Sequence, residues 1–181
     1  MIHVILATGF EEIEVTTIVD VLRRCQIDVE MLSVTGTRSI HGAHGIGIIA
    51  DGLLRRSTIS ESDAIILPGG MPGVKNLMAS ECLKKHLIKH LSQGKYVAAI
   101  CAAPMILGEW GLADGMEVTC YPGFECYLKN SIIKDKAVVV NHPLITGNGP
   151  GAAMEFAFKI AEIFADKSLV NQVKKGMGVN I

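Results

Sequence analysis

Short apolar runs rich in β-branched residues alternate along this chain with longer segments of helical period. Ile2–Leu6, Val29–Val34, Ala64–Leu67 and Tyr96–Ile100 are the clearest strand-like runs, each closing on a turn signal. Val118, Ile132–Ile133, Ala137–Val140 and Leu144–Thr146 read as shorter strands. The helical segments are Glu11–Arg24, Cys82–Leu91, Ala102–Trp110, Ala152–Phe164 and Leu169–Lys175. In the first of these, Glu14, Ile18, Val21 and Leu22 recur on one stripe. Between Gly36 and Gly52 the sequence is glycine-rich, and Ile40 with Ile46–Ala50 suggests a small antiparallel excursion. Strands alternating with helices of this length predict a mostly parallel sheet covered by helices on both faces. No repeat, linker or low-complexity stretch interrupts the pattern over residues 1–181, so one domain is expected.

Composition narrows the function classes. Hydrophobic residues make up 49% of the 181 and charged residues 19%, with a net charge of −1. That mixture excludes a disordered chain and offers no basic surface for nucleic acid or anionic lipid. Met1-Ile-His-Val-Ile-Leu carries no basic leader, and no run is long enough to span a membrane. Five cysteines without framework spacing point to a reduced, cytoplasmic protein, and without a CxxC pair no structural zinc site is expected.

The candidate chemistry gathers where strands end. Tyr96-Val-Ala-Ala-Ile-Cys101-Ala-Ala-Pro104 places a thiol at the junction of a strand and a helix. This is the layout of a nucleophile elbow, where helix-start N–H groups favour the thiolate and depress its pKa. The same pattern also describes a cysteine buried in a core strand. Glu11 and Glu12 are accounted for as first-turn carboxylates that complement the helix dipole. Glu14 shares the buried stripe with Ile18, and a carboxylate there must be paired or protonated. Pro68-Gly69-Gly70-Met71-Pro72-Gly73 follows another strand and offers backbone N–H groups to a ligand. Taken alone, it reads as an ordinary loop. Gly147-Asn-Gly149-Pro-Gly151-Ala152 matches a dinucleotide fingerprint only superficially and reads better as a close-packed helix start. His86 and His90 read as part of a solvated basic face, and nothing in the sequence brings a histidine to Cys101.

As an ordered set these motifs resemble the DJ-one/ThiJ/PfpI superfamily, specifically its DJ-one-like branch. The resemblance runs from Val4-Ile-Leu-Ala-Thr-Gly-Phe-Glu-Glu-Ile-Glu14 and Val19-Asp-Val-Leu-Arg-Arg24 through Ile66-Leu-Pro-Gly-Gly70. It continues in Ala98-Ala-Ile-Cys-Ala-Ala-Pro104, Gly149-Pro-Gly151 and Glu155-Phe-Ala157. It implies a flavodoxin-like three-layer sandwich, of the class I glutamine amidotransferase-like kind, and a homodimer. Cys101 would be the reactive cysteine and Glu14 its protonated partner, with Gly69, Gly70 and Ala102 as backbone donors. Glu11, Tyr121, His44, Arg24 and Pro150 would complete the pocket, with His44 and Arg24 near the two-fold axis. No metal or cofactor is implied. The family's described activities are cofactor-independent glyoxalase and deglycase chemistry, oxidative-stress sensing and chaperoning. The partner that the resemblance implies is a small reactive aldehyde or an oxidant.

Two departures bear on activity. Ala102 stands where peptidase-like relatives carry histidine, which argues against a PfpI-type peptidase. Tyr121-Pro122 stands where the branch often has a histidine before proline, and tyrosine, with a reference pKa of about 10, is a poor base near neutrality. Catalysis weaker than a histidine-assisted glyoxalase, or a sensor role for the same thiol, is the corresponding expectation. Val15, Thr16 and Val19, lying off the Glu14 stripe, are expected to need cover from a second copy.

Overall fold

The computed structural model describes residues 1–55, 59 and 61–179. Its strands are β1 (Ile2–Leu6), β2 (Val29–Ser33), β3 (Ser39–His41), β4 (Gly47–Ile49), β5 (Gly52–Leu53), β6 (Ala64–Leu67), β7 (Tyr96–Ile100), β8 (Glu117–Val118), β9 (Ile132–Ile133), β10 (Val138–Asn141) and β11 (Leu144–Gly147). The helices are α1 (Glu12–Arg24), α2 (Gly73–Met78), α3 (Glu81–Ser92), α4 (Pro104–Glu109), α5 (Ala153–Phe164) and α6 (Lys167–Gly176).

Seven strands form one sheet in the order β10-β11-β7-β6-β1-β2-β5, and every pairing is parallel except β10 with β11. β1 and β6 are buried along their whole length, as central parallel strands covered on both faces must be. From β1 the chain crosses over to β2 on one side, whereas from β6 it proceeds to β7 and β11 on the other. Right-handed crossovers in opposite directions put α1 on one face and α2, α3 and α4 on the other. The last long helix, α5, returns to pack against α1. The reversal between β1 and β6 is the topological switch point, where the carboxyl ends of the strands leave an opening for ligands. This is the flavodoxin-like sandwich.

The antiparallel excursion is present as the β3–β4 hairpin, with Ile40 opposite Ile48. It folds over the carboxyl edge, where Gly9 N–H donates to His41 O at 2.8 Å and Ala43 N–H to Phe10 O at 2.8 Å. β5 and α2 are additional to the elements expected, and lie in segments too short to carry a period. Two expectations need correction. His90 is buried, not solvated, because it shares the inward face of α3 with Leu83 and Leu87. Val15 and Val19 are covered by the chain itself, at 0% and 7% exposure. What α1 leaves open is Ile13, at 57% exposure, with Thr16 and Asp20. Among the described residues no helix is long and apolar enough to cross a membrane.

Candidate active site

Cys101 directly follows β7 with φ of +64°, a left-handed conformation unusual for a residue with a side chain. The surroundings enforce it. Cys101 N–H donates to Gly147 O at 2.9 Å, and Cys101 O accepts from Tyr121 N–H at 2.8 Å. Held from both sides, the residue cannot relax, and such strain persists only where packing over-determines it. Residues 101–103 form a turn and α4 starts at Pro104, so the thiol sits on a tight bend before the helix. The elbow reading therefore holds geometrically, although the thiol is buried as well, at 8% exposure.

Glu14, in the first turn of α1, is fully buried. Its Oε2 accepts from Gly69 N–H at 2.6 Å, whereas Oε1 has no partner among the described residues. A Cβ on Gly69 would lie 3.0 Å from both Cys101 Sγ and Glu14 Oε2, and 2.6 Å from Cys101 Cβ. Glycine is thus what keeps the space between thiol and carboxyl clear. Gly69 does not supply the donor expected of it, because its N–H is committed to Glu14. The N–H groups of Gly70 and Ala102 are the ones that reach the sulfur. Gly70, at φ +92°, abuts the backbone of Gly9, Phe10 and Glu11 too closely for any side chain.

Burial pushes the Glu14 carboxyl up to about 7, against the bonds from Gly69 N–H and the Cys101 thiol, with the nearby Glu11 charge adding to the rise. The thiol was expected to be depressed by the helix start. Instead burial first, and the Glu14 charge second, push Cys101 up to about 12, outweighing the Ala102 and Gly70 donors. The cause of the reversal is the ionised carboxylate packed against a desolvated sulfur. Protonating Glu14 removes that charge and turns the carboxyl into a donor, so the pair favours one proton shared between two acids.

The other expected residues separate into two groups. Glu11 is buried, and its N–H donates to Gly69 O at 2.9 Å. Tyr121 is 44% exposed, and its ring stands against Gly149, where a Cβ would lie 3.1 Å from Cδ2. Pro150 opens a 3₁₀ turn directly after that glycine. Arg24 is not brought to the site within this chain. It lies at the far end of α1, roughly 15 Å along the axis from Glu14, and is paired with Asp20 at 2.7 Å. His44, at the hairpin tip, pairs with Glu12 Oε2 at 2.8 Å and stands 3.7 Å from Glu11 Oε2. Glu11, Glu12 and His44 bring three possible metal-ligating atoms within 4.8 Å of one another, but the ion pair already accounts for that arrangement.

Glu12 does more than the helix dipole asks of a first-turn acid: it is 4% exposed and enclosed by the hairpin tip. The signal available was Gly42-Ala-His44-Gly, a hairpin tip with donors and no bulk.

Comparison with known proteins agrees with this architecture. The sequence model described as DJ-1/PfpI family matches residues 1–163. Protein dj-1beta of Drosophila melanogaster is 40% identical over 176 residues, covering 96% of this chain and 94% of its own length. The glutathione-independent glyoxalase DJR-1.2 of Caenorhabditis elegans is 33% identical over 167 residues, covering 91% of this chain and 88% of its own. The crystal structure of Drosophila melanogaster DJ-1beta superposes with a TM-score of 0.95 at 38% identity, over 99% of this chain and 98% of that one.

Proposed function

The chain belongs to the DJ-1/PfpI family, and from that premise we propose that Cys101 and Glu14 carry out glyoxalase-type conversion of a reactive 2-oxoaldehyde, such as methylglyoxal, to its hydroxy acid. The observation that carries this reading is the space that Gly69 keeps clear between the thiol and the buried Glu14 carboxyl, whose Oε1 has no partner among the described residues. A carboxyl held near 7 is suited to give a proton in one step and take one in the next.

In this scheme the Cys101 sulfur adds to the aldehyde carbon and the thiol proton passes to the new alkoxide, forming a hemithioacetal. Ionised Glu14 removes the proton from that carbon, and the electron pair forms an enediolate. The hydroxyl proton on the first carbon passes to the enediolate oxygen while Glu14 returns its proton to the neighbouring carbon, giving the thioester of the hydroxy acid. Water hydrolyses the thioester, releasing lactate and restoring the thiol, so the net reaction adds one water to methylglyoxal. The Gly70 and Ala102 N–H groups stabilise negative charge on sulfur and oxygen as it develops. No cofactor is required. Tyr121 contributes its backbone N–H to hold Cys101 in place, and with tyrosine in place of a histidine turnover is modest. Deglycation of methylglyoxal adducts would use the same attack.

Lactate should accumulate from methylglyoxal with the native chain and not with Cys101→Ser, measured by a coupled lactate assay. No lactate above buffer, with peroxide oxidising Cys101 ahead of the other cysteines, would replace the enzyme by a redox sensor. That second reading is favoured by the same Gly70, Ala102 and Glu14 groups, which suit an oxidised sulfur equally well.

A homodimer belongs to the same proposal. Ile13, Ile46 and Ile49 are 57%, 57% and 70% exposed on α1 and the hairpin, with a groove lined by Thr16, Val19, Asp20, Met31 and Ile48 between these elements. Light scattering at micromolar concentration should give twice the chain mass, and a monomer would refute the dimer. A reducing, cytoplasmic setting fits five cysteines that all stand as free thiols.

A further inference from the structure

Glu12 and Glu14 start the same helix but face opposite ways. While Glu14 turns into the sheet edge, the Glu12 carboxylate is enclosed by the tip of the β3–β4 hairpin. Its Oε1 accepts from His44 N–H at 2.6 Å and from Ile46 N–H at 3.4 Å, and its Oε2 meets His44 Nδ1 at 2.8 Å. A side chain at Gly42 would run into the carboxyl, so the tip is closed around it. These bonds and the His44 ion pair hold Glu12 below the ordinary carboxylate range despite its burial.

The tip is fastened in turn to the segment that shapes the reactive centre. Its two backbone bonds to Gly9 and Phe10 fix the stretch following β1. That stretch leaves no room for a side chain on Gly70, and Gly73 N–H donates back to Gly9 O at 3.0 Å. Gly69, joined to Gly70, stands directly against Cys101, where a Cβ would lie 2.6 Å from the Cys101 Cβ, and Gly70 N–H is directed at the sulfur. A continuous run of direct contacts therefore leads from the Glu12 carboxylate through the hairpin tip and residues 9–11 to the thiol.

We infer that Glu12 is a positioning residue: its carboxylate clamps the 42–46 hairpin tip and so fixes the Gly70 donor against Cys101. The inference rests on Cys101 being the reacting thiol but not on the identity of its substrate. Misplacing a donor by about 1 Å costs on the order of a hundredfold in a tightly arranged site. Glu12→Ala removes every acceptor at once. Glu12→Gln keeps an oxygen for the two backbone N–H groups, and its amide nitrogen can donate to a neutral His44 ring.

Iodoacetamide alkylation tests this without any substrate, because the thiolate displaces iodide in one step. Mass mapping follows Cys101 and the exposed Cys126 in the same sample, so the second thiol controls for general unfolding. Glu12→Ala should slow Cys101 alkylation roughly ten- to a hundredfold and shift its pH profile upward, since the thiolate loses a donor. Cys126 should be unchanged, and Glu12→Gln should stay within about threefold of native on the same scale. Should Glu12→Ala fail to fold, Glu12→Asp, whose shorter side chain withdraws the acceptor, takes its place with the same expectation. An unchanged Cys101 rate and profile in the Ala or Asp variant overturns the inference. So does a Gln variant as slow as Ala, which would assign the effect to charge and not to the clamp. A chain that makes no lactate yet shows the Glu12 effect loses the glyoxalase reading and keeps this one.

Discussion

Glu14→Gln should make the fold more stable above pH 7 and the site less active. The folded chain holds the Glu14 proton up to about 7, whereas the unfolded chain releases it near the ordinary 4.5. Between those values the folded state binds more protons, so the native protein loses stability as pH rises, and the loss is complete above 7. A shift of this size corresponds to about 3 kcal/mol. Glutamine accepts the Gly69 N–H as glutamate does and carries no charge to desolvate. Urea unfolding at pH 8 should therefore show the variant more stable by about 3 kcal/mol, with the difference vanishing below pH 4.5. Reactivity should split in two. Lactate formation should fall by about 10²–10⁴-fold, the usual contribution of a positioned acid or base. Alkylation of Cys101 at pH 8 should become faster, because the carboxylate that raises the thiol is gone. Equal stability of the two proteins at pH 8 would mean that Glu14 is not desolvated as described.

Acid should destabilise the chain through its opposite edge. His3 in β1 and His90 in α3 are each 3% exposed, and His3 Nδ1 and His90 Nε2 have no partner among the described residues. Burial and the Lys95 charge push His90 down to about 4, against the Asp63 backbone bond and the Asp63 charge, with His3 adding a smaller push downward. His3 is also lowered, chiefly by burial, although Glu30 Oε2 stands 3.5 Å from its Nε2. The unfolded chain takes up a proton on each ring near 6.5, whereas the folded chain refuses it on His90 until about 4. Stability from His90 is thus complete above 6.5 and lost as pH falls toward 4. The loss amounts to about 2 kcal/mol by pH 5 and about 3 at the limit. His90→Gln keeps a donor for Asp63 and does not titrate. Its urea midpoint should therefore fall less between pH 7.5 and 5 than that of the native chain, and parallel falls would contradict the assignment.

The layered fold was legible because a parallel sheet imposes a repeated period, which survives in the run of apolar strands and in the Glu14–Ile18–Leu22 stripe. The thiol and its partner were legible for a related reason, since chemistry at a sheet edge must come from residues that end strands or begin helices. Distances across elements were not. Which N–H serves the sulfur depends on how Gly69 and Gly70 turn, and the sequence treats the two glycines alike. The direction of the Cys101 shift was missed because a helix-start argument sees only the donors. The opposing carboxylate lies 87 residues away in sequence, and desolvation is set by everything packed around it. Helix phase sets Glu14 apart in the sequence alone, whereas Glu12 reads as an ordinary first-turn acid until the hairpin tip that encloses it is known. His90 was misread through its lysine neighbours, although its spacing from Leu83 and Leu87 already placed it inward.

The bond from Cys101 N–H to Gly147 O has a consequence for how the protein is born. Gly147, the later of the two residues that brace the strained elbow, is synthesised 46 positions after the thiol. At translation rates of roughly 5–20 residues per second, the interval is several seconds. Until β11 pairs with β7, Cys101 has neither its left-handed brace nor a completed sheet above which to stand. For that time the thiol stands on an unbraced nascent chain, and the left-handed bend that sets it against Glu14 is fixed only as the last strand of the parallel sheet docks.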